Sequence, residues 1–419
     1  MNSISSPFGQ NFLLALSSIG QFILIFLREF YWLLILIFLA HLFFNYRKTY
    51  LEKEAKKKKE PQEWSLLEII LTKAIEQSPR AMEDFFNGLS FVKKGYLSLE
   101  IVGLKHSIRF FLYCPAEYKK LIESLLFSQY PTIEIIEKED YLSSLPPNLP
   151  NKNYDLWGTE FVLEKNSAYP IKTYPFFKEE KSEGFSDPLN NLAELINNLS
   201  EKEHYFIQII VQPLDKEKQE KWVKESKEEE DIVLGKKVKP KPVSTKDWWL
   251  AFFINLLTGI FREPVWPDVS EAPAAPSSPS FSQQETAHLI EKKIAKKGFE
   301  TGIRVIYLSP KDIFNEINTL SFLAFFNQFD FQNLNSFKVN DLVTTEYSGR
   351  LFAERRCFLK KRSLYQQLLK REKAFTSFIL NSEELATIYH LPTGQLKVSF
   401  IQPSGALFKK GEPPPYLPS

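Results

Sequence analysis

The sequence predicts an α+β protein, an N-terminal transmembrane helix followed by ferredoxin-like antiparallel α+β sandwich domains. Three observations predict it. Residues Phe30 to Phe44, FYWLLILIFLAHLFF, form an apolar run broken only by His41 and closed by the basic YRKTYLEKEAKKKKE. Further on, the pattern reads β-β-α-β between Tyr96 and Lys138 and β-α-β between Gly158 and Leu214, with alternation in the strands and helical spacing in the helices. That order folds most simply as an antiparallel sheet with helices on one face. With 44% hydrophobic and 15% aromatic residues in 419, the chain can bury more than one core.

The anchor occupies residues 1–60. A spanning helix needs about 20 apolar residues, so the span, about 30–46 and containing Trp32, draws on Asn45 and Tyr46 or on the stretch before Arg28. Arg47, Lys48, Lys56, Lys57, Lys58 and Lys59 form the stop signal. Moving such a cluster across a bilayer is costly and the inner leaflet is anionic, which puts the rest of the chain in the cytoplasm. Asn11 to Leu27 is also apolar, separated from the span by Arg28 and Glu29. An interfacial helix leading into one span is preferred to a hairpin or one long tilted helix, because a hairpin would turn at that charged pair without Gly, Pro or Asn. A cleavable signal peptide fits poorly, lacking a basic n-region and a small-residue cleavage site.

A first α+β domain spans 61–214. WSLLEIIL opens it as a short strand or helix, and a helix follows in which Pro79 suits the first turn after a Ser78 cap. Met82, Phe85, Phe86 and Leu89 make its apolar face. YLSLEIVGL and HSIRFFLYC read as a hairpin, Pro115 to Tyr130 as a helix, and TIEIIEK as a strand. GTEFVLEK is a strand, DPLNNLAELINNLS a helix with an Asp cap, and HYFIQIIVQPL a strand.

Residues 215–285 form a charged insert, an apolar helix over 247–262 and a Pro/Ser-rich linker. Trp248 to Phe261 is too short to span. With Trp248, Trp249, Phe252 and Phe253 at its polar boundary, it either lies in the headgroup region or packs on the soluble body. A second α+β domain covers 286–392. It begins with a helix ending near Gly298, then the strand FETGIRVIYLS and a helix from Pro310 with Ile313, Ile317, Leu320, Phe325 and Phe329 at helical spacing. Ser382 caps a short helix near its end. The tail, 393–419, is too polar and Pro-rich to fold alone.

Charge and motifs exclude several classes. Lys+Arg 53 against Asp+Glu 51 leaves a net charge of +2, so bulk attraction to nucleic acid is not indicated. Cys114 and Cys357 read as buried thiols. The sequence has no phosphate-binding G-x-x-x-x-G-K-[ST] loop, no H-E-x-x-H and no Gly-x-Ser-x-Gly elbow, and its five histidines are scattered. No catalytic, cofactor-binding or metal-ligating residue is assigned, and the chain is read as a non-enzyme. One segment suits an anionic partner: Arg355, Arg356, Lys360, Lys361, Arg362, Lys370 and Arg371, with Phe358 and Tyr365 interleaved. A solvated helix edge paired with the acidic 227–231 run ranks ahead of nucleic acid as its reading.

Several segments together carry a resemblance: LLEI (Leu66–Ile69), PRAMEDFFNGL (Pro79–Leu89), SLEIVGL (Ser98–Leu104), FSQYPTIEIIEKEDY (Phe127–Tyr141), YDLWGTEFVL (Tyr154–Leu163), AYPIKTYPFF (Ala168–Phe177) and FNQFDFQNLNSF (Phe326–Phe337). Over most of 64–419 the chain resembles an uncharacterised membrane-anchored family of bacterial candidate phyla. Some members look like the N-terminal, non-motor part of conjugative-transfer, type IV secretion ATPases. LNSEELATIYHLP (Leu380–Pro392) looks like the hinge leading into such a motor, yet no motor follows it here. The resemblance implies an accessory protein of the bacterial inner membrane, its main body cytoplasmic, docking a separate ATPase subunit. Glu383, Glu384, Leu385, Tyr389, His390 and the tail are the docking candidates. The alternative is a membrane-associated nucleic-acid-binding module using 355–373. Lipid bilayer and an ATPase are the partners implied, with no cofactor; oligomeric state is left open.

Overall fold

The computed structural model describes residues 63–72, 77–92, 95–177, 186–236, 279–346 and 352–392, with Asn255 and scattered positions between Leu36 and Arg47. The chain divides into two compact units, 1–62 and 63–419. In the first, Leu36, Phe38, Leu39, Phe43, Phe44 and Arg47 are helical and exposed. Among the described residues no helix is long and apolar enough to cross a membrane. Trp32, Lys48, Lys56 to Lys59, Trp248, Trp249, Phe252, Phe253 and the tail lie outside the described residues.

The second unit is α+β, built on one antiparallel sheet. Its nine strands are β1 (Trp64–Leu71), β2 (Leu97–Leu104), β3 (Ser107–Pro115), β4 (Ile133–Lys138), β5 (Tyr154–Leu163), β6 (His204–Pro213), β7 (Gly298–Pro310), β8 (Phe337–Val339) and β9 (Phe378–Asn381). They lie in the order β4-β1-β3-β2-β6-β7-β5-β8. β9 pairs with Gly298–Thr301 of β7, the stretch that β5 leaves open by pairing from Ile303 onward. The helices are α1 (Arg80–Leu89), α2 (Lys119–Gln129), α3 (Leu189–Asn197), α4 (Lys216–Val233), α5 (Phe281–Ile294), α6 (Glu316–Asn327), α7 (Ala353–Lys370) and α8 (Ser382–Ile388).

The connectivity repeats itself. β1-α1-β2-β3-α2-β4 pairs in the order β4-β1-β3-β2, and β5-α3-β6-β7-α6-β8 pairs as β8-β5-β7-β6. The halves are therefore related by an approximate two-fold axis between β2 and β6, which pair from Leu97↔Val211 to Gly103↔Tyr205. One connection differs. Lys105 and His106 close the β2–β3 hairpin, His106 in the left-handed region at φ 57, whereas α4, the 237–278 segment and α5 intervene between β6 and β7. Strand pairing crosses the expected division between 214 and 286, because β6 lies beside β7 from His204↔Leu308 to Pro213↔Phe299. The 158–214 pattern joins strands that come after the insert.

Both faces of the sheet are covered, which explains why β1, β2, β6 and β7 are buried almost end to end. Alternate residues serve different cores. Leu67, Ile69, Leu99, Ile101, Phe110, Ile207, Ile209 and Val305 pack with Phe85 and Phe86 of α1, Leu126 of α2, Ile196 of α3, Phe325 of α6 and Leu385 of α8. Leu66, Val102, Phe111, Leu156, Phe206 and Ile306 face the other way, onto Leu142, Leu149 and the Leu364, Tyr365 and Leu368 stripe of α7. Each such side chain contributes about 1.5–3 kcal/mol on burial. The apolar face of α1 is the one its spacing predicts. That of α6 is so only in part: Phe325 and Phe329 are buried as the spacing predicts, but Ile317 and Leu320 are 66% and 61% exposed, and Phe322 and Phe326 are buried in their place. Phe325 and Phe326 pack against the rings of Phe161, Phe329 and Phe337, and Phe322 against Tyr205.

Candidate functional site

A row of polar residues crosses the face under α7. Register runs Glu68↔Phe111↔Glu100↔Gln208↔Arg304↔Glu160 over β1, β3, β2, β6, β7 and β5. Arg109 closes on Glu68 at 2.7 Å. Arg304, 1% exposed, donates Nη2 to Glu160 Oε1 at 2.7 Å and Nη1 to Gln208 Oε1 at 2.7 Å, and also reaches the carbonyls of Gln367 and Glu372. Glu160 Oε2 accepts from the Phe375 amide at 2.7 Å. From the opposite direction Arg371, also 1% exposed, donates to Glu100 Oε1 at 2.7 Å and to both oxygens of Asp140, and its guanidinium lies 4.3 Å from the Tyr113 ring centroid. Burial disfavours the Arg371 charge, but Glu100 and the Asp140 hydrogen bonds outweigh it and raise the pKa. At Arg304 burial prevails and lowers it, Glu160 opposing. These groups are engaged inside the protein, where they fasten the end of α7 and the 371–375 segment to the sheet.

The second polar cluster contains the expected docking residues, and it is interior. Glu383, Glu384, Leu385, Tyr389 and His390 are all buried, and so is every residue of α8. Asn381, rather than Ser382, caps this helix through a capping box with Glu384. Glu384 Oε1 also meets Lys293 Nζ at 3.0 Å and the Ile171 amide at 2.9 Å. Burial lowers the Lys293 pKa and raises that of Glu384, each group partly restoring the other. Lys296 bridges Glu83 of α1 and Glu383, which also accepts from Thr173 Oγ1 at 2.6 Å. His390 places Nε2 3.0 Å from Asp187 and Nδ1 2.9 Å from the Ala386 carbonyl, while the Tyr389 hydroxyl donates to the Phe111 carbonyl. A helix held on all sides by the core and these charges offers no face to a partner. Its anchors come from distant segments and leave no mark near 380–390 in the sequence.

The basic stretch divides in two. Arg371 and Lys361 are buried, Lys361 on Asp155 at 2.7 Å. Lys360 donates to the carbonyls of Asp341 and Thr344, and Lys370 lies 3.7 Å from Glu372. Their partners are not in the 227–231 run. Arg355, Arg356 and Arg362 are exposed.

Arg355 stands at the mouth of an open cleft of about 700 Å³ that three elements frame. The turn 150–155 supplies Asn151, Lys152 and Asp155. It is stiffened by Asn151 Oδ1, which accepts the Asn153 and Tyr154 amides at 2.9 Å. Lys311, just past β7, is tied to this turn by its amide on the Asn153 carbonyl at 2.9 Å. The first turns of α7 add Glu354, Arg355, Cys357, Phe358 and Lys361. Lys361 and Asp155 neutralise one another on the floor. Lys152, Lys311 and Arg355 then face Glu354, and none of the three forms an ion pair among the described residues. Cys357 is 2% exposed and gives its thiol to the Thr345 carbonyl, burial pushing its pKa up. Burial pushes the Cys114 thiol up to about 12; both cysteines are inert buried thiols, as the sequence predicts. Lys152 and Lys311 were not among the sequence candidates, since each is a lone base in its own segment.

Among the described residues no group of His, Cys, Asp or Glu is placed to hold a metal ion. No curated protein matches the chain. A family model described as a domain of unknown function (DUF8128) matches residues 43–401, a span that takes in the whole sheet, both polar clusters and the cleft. The chain belongs to this DUF8128 family.

Proposed function

We propose that the protein is a membrane-anchored, non-catalytic accessory protein of the bacterial inner membrane, with its body in the cytoplasm and a separate conjugative-transfer or type IV secretion ATPase as its docking partner. In this reading each half of the sheet is a ferredoxin-like unit, and the two are fused through β2 and β6 into one rigid platform. The observation that carries it is how the buried charge is used. Glu100, Glu160, Glu383 and Glu384 are taken up by Arg371, Arg304, Lys296 and Lys293, pairs that fasten helices to the sheet. The apolar run Phe30 to Phe44 and its Lys cluster support the anchor. Because the 383–390 residues are interior, docking falls to the Pro-rich segment 393–419.

The test is co-purification from cells expressing the full chain and its partner ATPase. Removing 393–419 should abolish capture while the remainder keeps its melting transition, and the purified chain should show no ATP turnover. Undiminished capture without the tail, or intrinsic stoichiometric turnover, contradicts the proposal. A second reading, an anionic partner at the cleft, is favoured by the three bases there that no described carboxylate pairs.

A further inference from the structure

We infer that the cleft between the 150–155 turn, Lys311 and the start of α7 binds single-stranded nucleic acid, with phosphates at Lys152, Lys311 and Arg355 and a base stacked on Phe358. This rests on the second reading above and names its ligand. Three observations converge. Among the described residues that line the cleft bases are in excess, since the floor pair Lys361–Asp155 cancels and Glu354 is the one lining carboxylate left to oppose Lys152, Lys311 and Arg355. Phe358 lines the same cleft and is 45% exposed, an aromatic ring held at a polar surface where burial does not explain it. Arg355, Phe358 and Arg362 fall three and four residues apart on α7, so they share one face. The pattern of base, ring, base therefore continues out of the cleft along the helix for roughly 10 Å.

Cations that track a backbone beside rings on which bases stack are the arrangement by which single strands are held without sequence preference. A lone phosphate would use the cations and leave the ring idle. An acidic peptide would likewise gain nothing from Phe358. Duplex DNA keeps its bases inside the stack, away from the ring. The walls are also fixed before binding: Asn151 and the Lys361–Asp155 pair hold the turn and the helix in place. Little ordering cost would then be paid on association.

The test uses the full chain in non-ionic detergent and fluorescence anisotropy with a labelled oligothymidine of about 16 nucleotides, the upper end of single-site lengths. Binding should weaken with salt between about 50 and 200 mM. The triple variant Lys152→Ala, Lys311→Ala, Arg355→Ala should lose about tenfold or more in affinity and about 2 in the slope of log K against log salt. Phe358→Ala should lose about tenfold with the slope unchanged, because stacking releases no counterions. All four side chains are exposed, and a melting curve matching the parent shows that each variant is folded. Polyglutamate and duplex DNA serve as competitors. If polyglutamate binds as well as oligothymidine and both depend on the three bases, the anionic-partner reading stands and the single-strand inference falls. If no anionic ligand binds, both fall. Oligothymidine binding that none of the substitutions changes overturns the site itself.

Discussion

Arg371 reads from the sequence as one more base in an exposed cationic helix, and in the structure it is a buried tie between α7 and the sheet. Its partner Glu100 is 271 residues away, so nothing near position 371 marks the role. Its backbone, at φ 51, sits in the left-handed region where a non-glycine residue costs about 1 kcal/mol, offset here by the bonds its side chain gains. Arg371→Met leaves Glu100 buried without its counter-ion and should destabilise the protein by about 3–5 kcal/mol in chemical denaturation. Arg371→Lys should recover only part of this, since an ammonium cannot span Glu100 and Asp140 with a planar fork. Equal stability for the parent and the Met variant would show the tie to be dispensable. Glu383 makes a pH-dependent contribution. Burial raises its carboxyl pKa, but the Lys296 and Thr173 hydrogen bonds and the Lys296 charge outweigh this and set it below 4.5 in the fold. A depressed folded value stabilises fully above the ordinary carboxylate range, and this is lost as pH falls through the folded value. Glu383→Gln should therefore lower the melting temperature at neutral pH and converge on the parent as pH falls through the folded value; a constant offset across the acid limb would mean that the pair is not coupled to pH.

At the scale of elements, local patterning succeeded where one residue's neighbours in sequence are also its neighbours in space. The face of α1, the β2–β3 hairpin and the strand β4 are all legible on that basis. It succeeded only in part where long-range packing turned the buried face, as in α6, where Phe325 and Phe329 are buried as expected but Phe322 and Phe326 take the places expected for Ile317 and Leu320. It failed at α8, where a hinge-like segment rich in Glu, Tyr and His proved to be interior because Lys293, Lys296 and Asp187 supply the counter-charges and hydrogen bonds. The 371–377 connection after α7 lies on β7 at Gly302, where an added Cβ would collide with that of Ala374. Gly302→Val should thus lever this segment off the sheet. An overpacked site costs typically 1–3 kcal/mol, with more rapid hydrogen exchange at the Phe375 amide, which Glu160 accepts. An unchanged exchange rate would show that the segment accommodates the side chain.

At the scale of the molecule, the repeated strand order was partly written in the sequence as two strand-helix-strand patterns. What could not be read was that the second pattern is completed across the insert, since β6 and β7 meet through 84 intervening residues whose composition resembles a domain linker. The cleft stayed hidden for the same reason: Lys152, Lys311 and Arg355 gather only once β5, β7 and α7 are in place. The proposed anchor is the reverse case, an expectation from an apolar run with a basic stop that lies largely outside the described residues. The most direct test of the proposed function is fractionation of cells expressing the full chain beside a fragment from Glu63 onward. The full chain should sediment with the inner membrane, resist extraction by high salt and by alkaline carbonate, and be released only by detergent, with its body digested by protease in inside-out vesicles but not in intact cells. A full chain that extracts with carbonate, or a body cleaved from outside intact spheroplasts, would contradict an anchored protein with a cytoplasmic body.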